Sequence, residues 1–412
     1  MGKLTEIIHQ ESKYQQSRCN LLDYYSDSES VDYYYHSNIN ITRPFIKFSH
    51  YNTIMYTKYI FQKLTNFLIS HPHLDHVSSL VINSAGFATN NPPKQIYGSY
   101  YTIDSLQNHY FNGIVWPNMP DFDIVNLNQR KFKQVFHVGN YKIKMFPLSH
   151  GELNLIEKKS RHKVKFKNGS TSIKADNDDR EQGTPVAADS IPPRRHSSVT
   201  TIPAGINDDD YVKTKIYEGF QPNGSRHNSS ASSIGGNLDE EAVKSHYLSS
   251  AFLISRNFKN TTNDADISYL LVFGDFESDS ISHLDYNLRI WQEIAPLVNK
   301  GQMHGIILEC SNSFEIDENK LYGHLTPRHV IHELQQLASE CQRIKIDEEN
   351  EESQALKGLN IIINHVKEPI LSNYRQIKDP RKQILKELNK LNAQENMGIQ
   401  FSVALSGTSI II

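Results

Sequence analysis

Short apolar runs separated by longer, mixed stretches set the pattern of this sequence. Tyr141–Pro147 (YKIKMFP) alternates apolar and polar positions, which predicts a half-buried strand. Tyr269–Phe273 (YLLVF), Gly305–Leu308 (GIIL) and Leu359–Ile363 (LNIII) are continuous and rich in β-branched residues, the mark of strands buried on both faces. Phe401–Leu405 and Ser409–Ile412 predict a C-terminal pair of strands around Gly407. Helical periodicity falls at Ile103–Tyr110, Leu284–Val298, Pro327–Ser339 and Pro380–Leu391. Pro327 at a first helical position, with Thr326 before it as N-cap, is a strong start signal. Strands alternating with helices predict an α/β fold. No internal repeat is present.

The pattern fails between about Glu157 and Ser245. Ser, Asn, Asp, Gly, Pro and Lys dominate there, as in KADNDDREQGTP and GSRHNSSASSIGGN. Such a stretch buries too little apolar surface to offset its ordering entropy, so residues 157–245 are expected to be a disordered insertion. Residues 1–156 and 246–412 then form one domain of about 320 residues.

Composition narrows the possibilities. The net charge of -3 argues against a general nucleic-acid binder, which needs a basic surface. The cysteines Cys19, Cys310 and Cys341 are too few for a disulfide scaffold and suit a reducing, cytoplasmic setting. No apolar run is long enough to span a membrane, and the first twenty residues lack a signal-peptide core.

The candidate chemistry lies in His71-Pro72-His73-Leu74-Asp75-His76. Phe67-Leu68-Ile69 precedes it and Leu80-Val81-Ile82 follows, which places it between a strand and a helix. Four potential ligands in six residues are too dense for an ordinary solvated turn. Imidazole and carboxylate together suit zinc, iron or manganese. His71 and His73 can share one ion while Asp75 and His76 reach a second.

H-x-H-x-D-H resembles the signature of the metallo-β-lactamase superfamily. That resemblance implies an αββα sandwich with the remaining ligands at the ends of later strands. His150 ends YKIKMFPLSH, Asp275 ends YLLVFGD and His365 ends LNIIINH. It also implies that His71, His73 and His150 hold one divalent ion, that Asp75, His76 and His365 hold a second, and that Asp275 bridges. Two such ions, zinc being expected, acidify a shared water and clamp a phosphoryl group.

The wider motifs are more specific. His71–Ala85 (HPHLDHVSSLVINSA), Thr102–Pro117 (TIDSLQNHYFNGIVWP), Gly274–Glu277 (GDFE), Leu321–Pro327 (LYGHLTP) and Asn364–Lys367 (NHVK) look like the class II cyclic-nucleotide phosphodiesterases. The resemblance extends from about Lys58 to Ile412 outside the insertion. It implies hydrolysis of 3′,5′-cyclic AMP to 5′-AMP, with cyclic GMP left open as a substrate. Glu309 and Gly323-His324-Leu325-Thr326 resemble the Glu and Gly-His-x-Thr of the tRNA 3′-processing nucleases. That likeness implies a relay in which His324 protonates the departing 3′ oxygen and Glu309 orients its ring. Asp75, His324 and Glu309 are thus the expected catalytic residues. The helix-capping alternative for His324 remains open, as do Asn83, Ser84, His109, Tyr110 and Trp116 for a base pocket. An RNA-end nuclease is the same-fold alternative, and the acidic balance disfavours it.

Two further expectations concern the chain's edges. Met1-Gly2-Lys3-Leu4 looks like the continuation of the family's Asp-Ala-Gly-x-Gly-Met-like stretch. The family's first strands and that Asp are therefore expected to be missing, which makes a truncated, weakly active homologue the other alternative. Met1–Ile41 is expected to be a helix from about Leu4 followed by a polar, Tyr-rich loop. In the insertion, Arg194-Arg195-His196-Ser197 matches the Arg-Arg-x-Ser pattern of cyclic-AMP-dependent protein kinase, so Ser197 is a candidate phosphorylation site.

Overall fold

The computed structural model describes residues 7–8, 31–42, 52–87, 92–153, 245–256, 267–345, 354–367 and 379–412. The chain divides into two compact units, Met1–Leu153 with His246–Ile412, and Asn154–Ser245. Ser197, Cys19, the expected helix start at Leu4 and nearly all of the expected insertion lie outside the described residues.

Twelve strands are found among the described residues: β1 (Asn40–Thr42), β2 (Asn66–Leu68), β3 (Lys94–Gly98), β4 (Val125–Gln129), β5 (Val135–Val138), β6 (Tyr141–Leu153), β7 (Ser245–Arg256), β8 (Tyr269–Phe273), β9 (Met303–Glu309), β10 (Asn360–Asn364), β11 (Gln400–Val403) and β12 (Ser409–Ile411). Seven form a mixed sheet in the order β11-β10-β9-β8-β7-β6-β5, and β2-β3-β4 form a second, parallel sheet. The seven α-helices are α1 (Thr53–Lys63), α2 (Leu74–Ser84), α3 (Tyr100–Ser105), α4 (Asp279–Ser282), α5 (Tyr286–Asn299), α6 (Pro327–Lys345) and α7 (Pro380–Gln394) among the described residues.

Side-chain alternation turns these elements into layers. On β6, Ile143 and Met145 join Phe252 of β7 and Leu68 of β2 in one apolar cluster, so the two sheets face each other there. Tyr97 of β3 stacks on Phe136 of β5 in the same interlayer, with ring centroids 5.8 Å apart. The alternate residues Phe146 and Leu148 point the other way, into the core built with Trp291, Ile294, Leu334, Leu337 and Ile384 of α5, α6 and α7. On the far side of the smaller sheet, Ile96 and Val125 pack with Val77 and Val81 of α2 and Ile103 of α3. The result is helix, sheet, sheet, helix, as the resemblance implies. Each fully buried side chain of this kind contributes about 1.5–3 kcal/mol of hydrophobic stabilisation.

Several expectations need correction. The C-terminal strands do not pair with each other. β11 is parallel to β10, and β12 is antiparallel to β1. Three of the four β11 residues are buried, which suits an in-sheet neighbour, whereas β12 is only partly buried. His150 does not end its strand, because β6 runs on to Leu153 through Gly151 at φ +82°, a value that glycine adopts without steric cost. The helix expected over 103–110 starts at Tyr100, capped by Ser99, and becomes a π-helix at Leu106–Tyr110.

The described part of the Tyr-rich stretch, from Val31 on, is not a polar loop either. Val31–Tyr34 is a 3-10 turn, and Tyr34 and Tyr35 are buried. Tyr34 Oη donates to Asp379 Oδ2 at 2.5 Å, and Tyr35 Oη accepts from the Leu405 amide at 2.9 Å. A tyrosine buries its ring when its hydroxyl finds a partner, and both partners lie near the other end of the sequence.

Candidate metal centre

The order of the strands brings the expected ligands to one place. β8, β9 and β10 are parallel neighbours, so their C-terminal ends emerge at one edge of the sheet. Asp275 follows β8, Glu309 ends β9 and His365 follows β10. The HPHLDH segment leaves β2 of the facing sheet and enters α2. His73 is the N-cap of that helix, with Asp75 and His76 in the first turn, where a carboxylate also meets the positive end of the helix dipole.

Two groups of donor atoms hold the expected metal ligands, beside a third made of His150, Asp275, Glu309 and His324. His71, His73 and His150 form one, and Asp75, His76, Asp275 and His365 form the other, with the chosen atoms within 4.8 Å of one another in each. Asp275 Oδ2 lies between them. It is 3.0 Å from His76 Nε2 and 3.4 Å from His365 Nε2, and 3.8 Å from Nε2 of both His71 and His150. Its side chain is 3% exposed, whereas that of Asp75 is 62% exposed at the open side and sits 3.3 Å from His365 Nε2. A buried carboxylate between two imidazole groups is suited to bridging, and an exposed one to terminal ligation.

The residues fit cations on an independent ground. His71 Nε2 is buried and has no hydrogen-bond partner among the described residues. A buried polar atom without a partner costs free energy, and a cation is the partner that a ring of nitrogens and carboxylates supplies for. The opposite nitrogens are held from behind. His150 Nδ1 lies 2.8 Å from the carbonyl of Gly323, and His71 Nδ1 lies 3.1 Å from Ser70 Oγ. Such partners orient metal-binding rings and select their tautomer.

Electrostatics favours the ligating protonation states of His71, His73, His150 and Asp275, while His76 is held towards its charged form. Burial, aided by His76, pushes the His71 pKa down to about 2. Burial and the ring of His150 lower His73, and burial together with His324 lowers His150. Burial opposes ionisation of Asp275, but the hydrogen bond from His76 and the rings of His365 and His71 outweigh it and hold the carboxyl well below its usual range. Burial also works against a charged His76, yet Asp275 keeps that ring above its ordinary value. Neutral imidazoles and an ionised carboxylate are the forms that bind metal.

Glu309 and His324 form a buried pair beside this cluster. His324 Nδ1 lies 2.9 Å from Glu309 Oε1 and 3.0 Å from Oε2, and the Phe276 amide donates to Oε1 at 2.9 Å. The helix-capping alternative for His324 does not match this geometry. Thr326 precedes α6, its carbonyl accepts from the Val330 amide at 3.0 Å, and its hydroxyl meets His329 Nδ1 at 2.9 Å.

Close backbone approach makes two glycines part of the site. A Cβ on Gly274, next to Asp275, would lie 2.4 Å from Ser70 Cβ. Gly323 packs on the backbone of His150 and Gly151. The sequence showed both within motifs but gave no contact reason for them. Among the base-pocket candidates, Ser84 is buried and accepts from Trp116 Nε1 at 3.0 Å, so this pair ties α2 to the following loop. Asn83 Nδ2 bonds back to the carbonyl of Ser79 at 2.6 Å, and His109 is exposed. Tyr110 Oη donates to the Pro72 carbonyl at 2.7 Å, inside the ligand loop. Sequence reasoning missed Tyr247, whose ring meets His73 edge-on at 5.2 Å.

Comparisons with known proteins agree with this architecture. A 3′,5′-cyclic-nucleotide phosphodiesterase of Candida albicans is 48% identical over 417 residues, covering 100% of this chain and 88% of that protein. 3′,5′-cyclic-nucleotide phosphodiesterase 1 of Saccharomyces cerevisiae is 25% identical over 405 residues, covering 94% and 82%. The crystal structure of unliganded yeast PDE1 superposes with a TM-score of 0.61 at 22% identity, over 93% of this chain and 82% of that one, which shows a shared fold. The family model described as cAMP phosphodiesterases class-II matches residues 1–407. With that match spanning both halves of the ligand cluster, the chain belongs to the class-II cAMP phosphodiesterase family.

Proposed function

We propose that this protein hydrolyses 3′,5′-cyclic AMP to 5′-AMP at a centre of two divalent cations. The observation that carries the reading is the convergence of two donor groups on Asp275 in a chain of this family. His71, His73 and His150 would hold one ion, Asp75, His76 and His365 the other, and Asp275 would touch both. The donor set suits zinc. Such a pair of ions supplies an acidified water and charge stabilisation for a phosphoryl group.

The protein's own groups do the rest. Glu309 accepts a hydrogen bond from the Nδ1–H of His324 and so orients the ring; in the doubly protonated ring the Nε2–H is then the proton given to the departing 3′ oxygen, and the neutral ring keeps its Nδ1–H on Glu309. Glu309 is itself fixed by the Phe276 amide, one residue after Asp275, so the proton donor and the bridging carboxylate share a rigid support. Asp75 stands at the open side, where a substrate would arrive.

Four finer readings accompany this one. Cyclic GMP is a second substrate to be compared. Residues 157–245 are an insertion in a single catalytic domain, and Ser197 within it is a target of cyclic-AMP-dependent kinase. The cytoplasmic placement rests on cysteine usage, and Cys310 and Cys341 are buried.

The test is direct. The purified protein is titrated with Zn2+ and assayed for conversion of cyclic AMP, cyclic GMP and a tRNA precursor. Turnover of cyclic AMP with about two bound ions is expected. A protein that binds two ions and cleaves the RNA but neither cyclic nucleotide would overturn the reading.

A further inference from the structure

Ser311 has no place in the chemistry described so far, yet its hydroxyl touches three parts of it. The residue is buried, two positions beyond Glu309 on the segment leaving β9. Glu309 is in register with Asn364 of the parallel strand β10, so the residues just beyond both strands meet at the same sheet edge. Ser311 therefore lies against His365.

The contacts are close and specific. Ser311 Oγ is 3.1 Å from His365 Nδ1 and 2.8 Å from the His365 carbonyl oxygen. It is 2.5 Å from Glu309 Oε2 and 3.3 Å from His324 Nδ1. The Ser311 carbonyl accepts from the Lys367 amide at 3.0 Å, which closes the turn from the other side. That turn needs a clamp, because His365 sits at φ +50°, a left-handed conformation uncommon for a residue with a Cβ.

A serine hydroxyl has one proton and two lone pairs. Its proton has two acceptors in reach, Glu309 Oε2 and the His365 carbonyl. The carboxylate is nearer and charged, so it takes the larger share of a three-centre donation. The oxygen is then left to accept, and the donor that faces it from His365 is Nδ1–H. This fixes the tautomer of His365 with its lone pair on Nε2, the atom 3.3 Å from Asp75 Oδ2 and 3.4 Å from Asp275 Oδ2. In the other donor group a backbone carbonyl, that of Gly323, plays this part for His150. Only at His365 does a side chain do it while also reaching the proton-donor pair.

We propose that Ser311 is a positioning residue that presents His365 Nε2 to the second cation and couples that ligand to the Glu309–His324 pair. The proposal rests on the two-cation reading above. It makes the two ions unequal in their support: removing one hydroxyl loosens the ion held by Asp75, His76 and His365 and leaves the ion at His71, His73 and His150 in place.

The experiment uses the full chain with Zn2+ in competition against a chromophoric chelator, so that the two binding steps are resolved. Ser311→Ala is expected to weaken one step by about 10–100-fold and leave the other unchanged. The same variant lowers kcat for cyclic AMP without raising KM. Ser311→Thr keeps the hydroxyl and restores both readouts, and Ser311→Cys, a weak donor of similar size, falls between. Two zinc steps in Ser311→Ala equal to those of the wild type would overturn the proposal. So would equal weakening of both steps with a lowered melting temperature, the mark of a merely structural serine. If Ser311→Ala does not fold, the Ser311→Cys and wild-type zinc steps decide in the same way. Wild-type protein that binds two zinc ions without turning over cyclic AMP defeats the functional reading alone, since zinc affinity still reports on Ser311.

Discussion

Gly323 and His150, 173 positions apart, are joined backbone to ring and backbone to backbone. The Gly323 carbonyl takes the Nδ1 side of the His150 ring at 2.8 Å, while a Cβ on Gly323 would fall 2.6 Å from the His150 carbonyl carbon. Gly323 also sits at φ +80°. A methyl group there meets both a clash with backbone and an unfavourable conformation. Gly323→Ala is expected to lose about 1–3 kcal/mol of stability from the strained backbone, with the clash added to it. It should also weaken the metal step that depends on His150. Thermal melts and zinc titration check this, and an unchanged melting temperature would count against the packing.

The cations themselves are the next test. Exhaustive chelation should abolish cyclic AMP turnover, and added Zn2+ should restore it. His73→Ala and Asp75→Ala should each lower activity to near background and reduce the bound metal measured by elemental analysis. Either variant with full metal content and full turnover would remove that residue from the site.

The Glu309–His324 pair should act as a unit. His324→Ala is expected to lower kcat by about 10²–10⁴-fold while the metal content stays at the wild-type level. Glu309→Gln should lower kcat as well, because an amide presents a weaker acceptor to Nδ1–H. The double variant should lose far less than the product of the single effects. Multiplicative losses in steady-state kinetics would show that the two act independently.

Asp279 offers a pH signature outside the metal ligands. Its carboxylate accepts from the amides of Asn287 at 3.1 Å and Leu288 at 2.8 Å, so it ties α4 to the start of α5. Burial nevertheless raises its pKa from 3.8 to about 6, with Glu333 adding to the rise. A raised carboxyl pKa favours the protonated fold. The stability it contributes is present below pH about 4 and is lost as pH rises towards about 6. Asp279→Asn cannot titrate and gives up one amide acceptor. Its deficit in melting temperature against the wild type should therefore be larger at pH 4.5 than at pH 7. A deficit that stays constant across that range would disprove the shift.

Phosphorylation is the last expectation, at a position outside the described residues. Cyclic-AMP-dependent kinase should place phosphate on Ser197, adding about -1.5 to -2 charges, and should change cyclic AMP turnover. Activation is the expected sign, since it would make the feedback on cyclic AMP negative. Mass spectrometry locates the phosphate, and Ser197→Ala should abolish both effects. Phosphate without a kinetic change would leave the segment passive.

The sequence by itself determined the local parts of this protein. HPHLDH leads from β2 into the first turn of α2 because an apolar run ends before it and a helical one follows, and its ligands are near neighbours in the chain. YLLVF, GIIL and LNIII were legible as buried strands because both faces of each are apolar. His150, Asp275 and His365 could be named because a recognisable motif asks for them. What only the tertiary structure decided were relationships without a local signal. Val403 to Ser409 reads as a hairpin, yet the two strands pair elsewhere, β11 with β10 and β12 with β1. Tyr34 and Tyr35 read as polar until Asp379 and Leu405 meet their hydroxyls. Gly274 and Gly323 stand in motifs that give no contact reason for them, and Ser311 carries no pattern of its own. Their roles depend on which backbone or side chain comes within 3 Å, and that is set by the registration of strands separated by long stretches of chain.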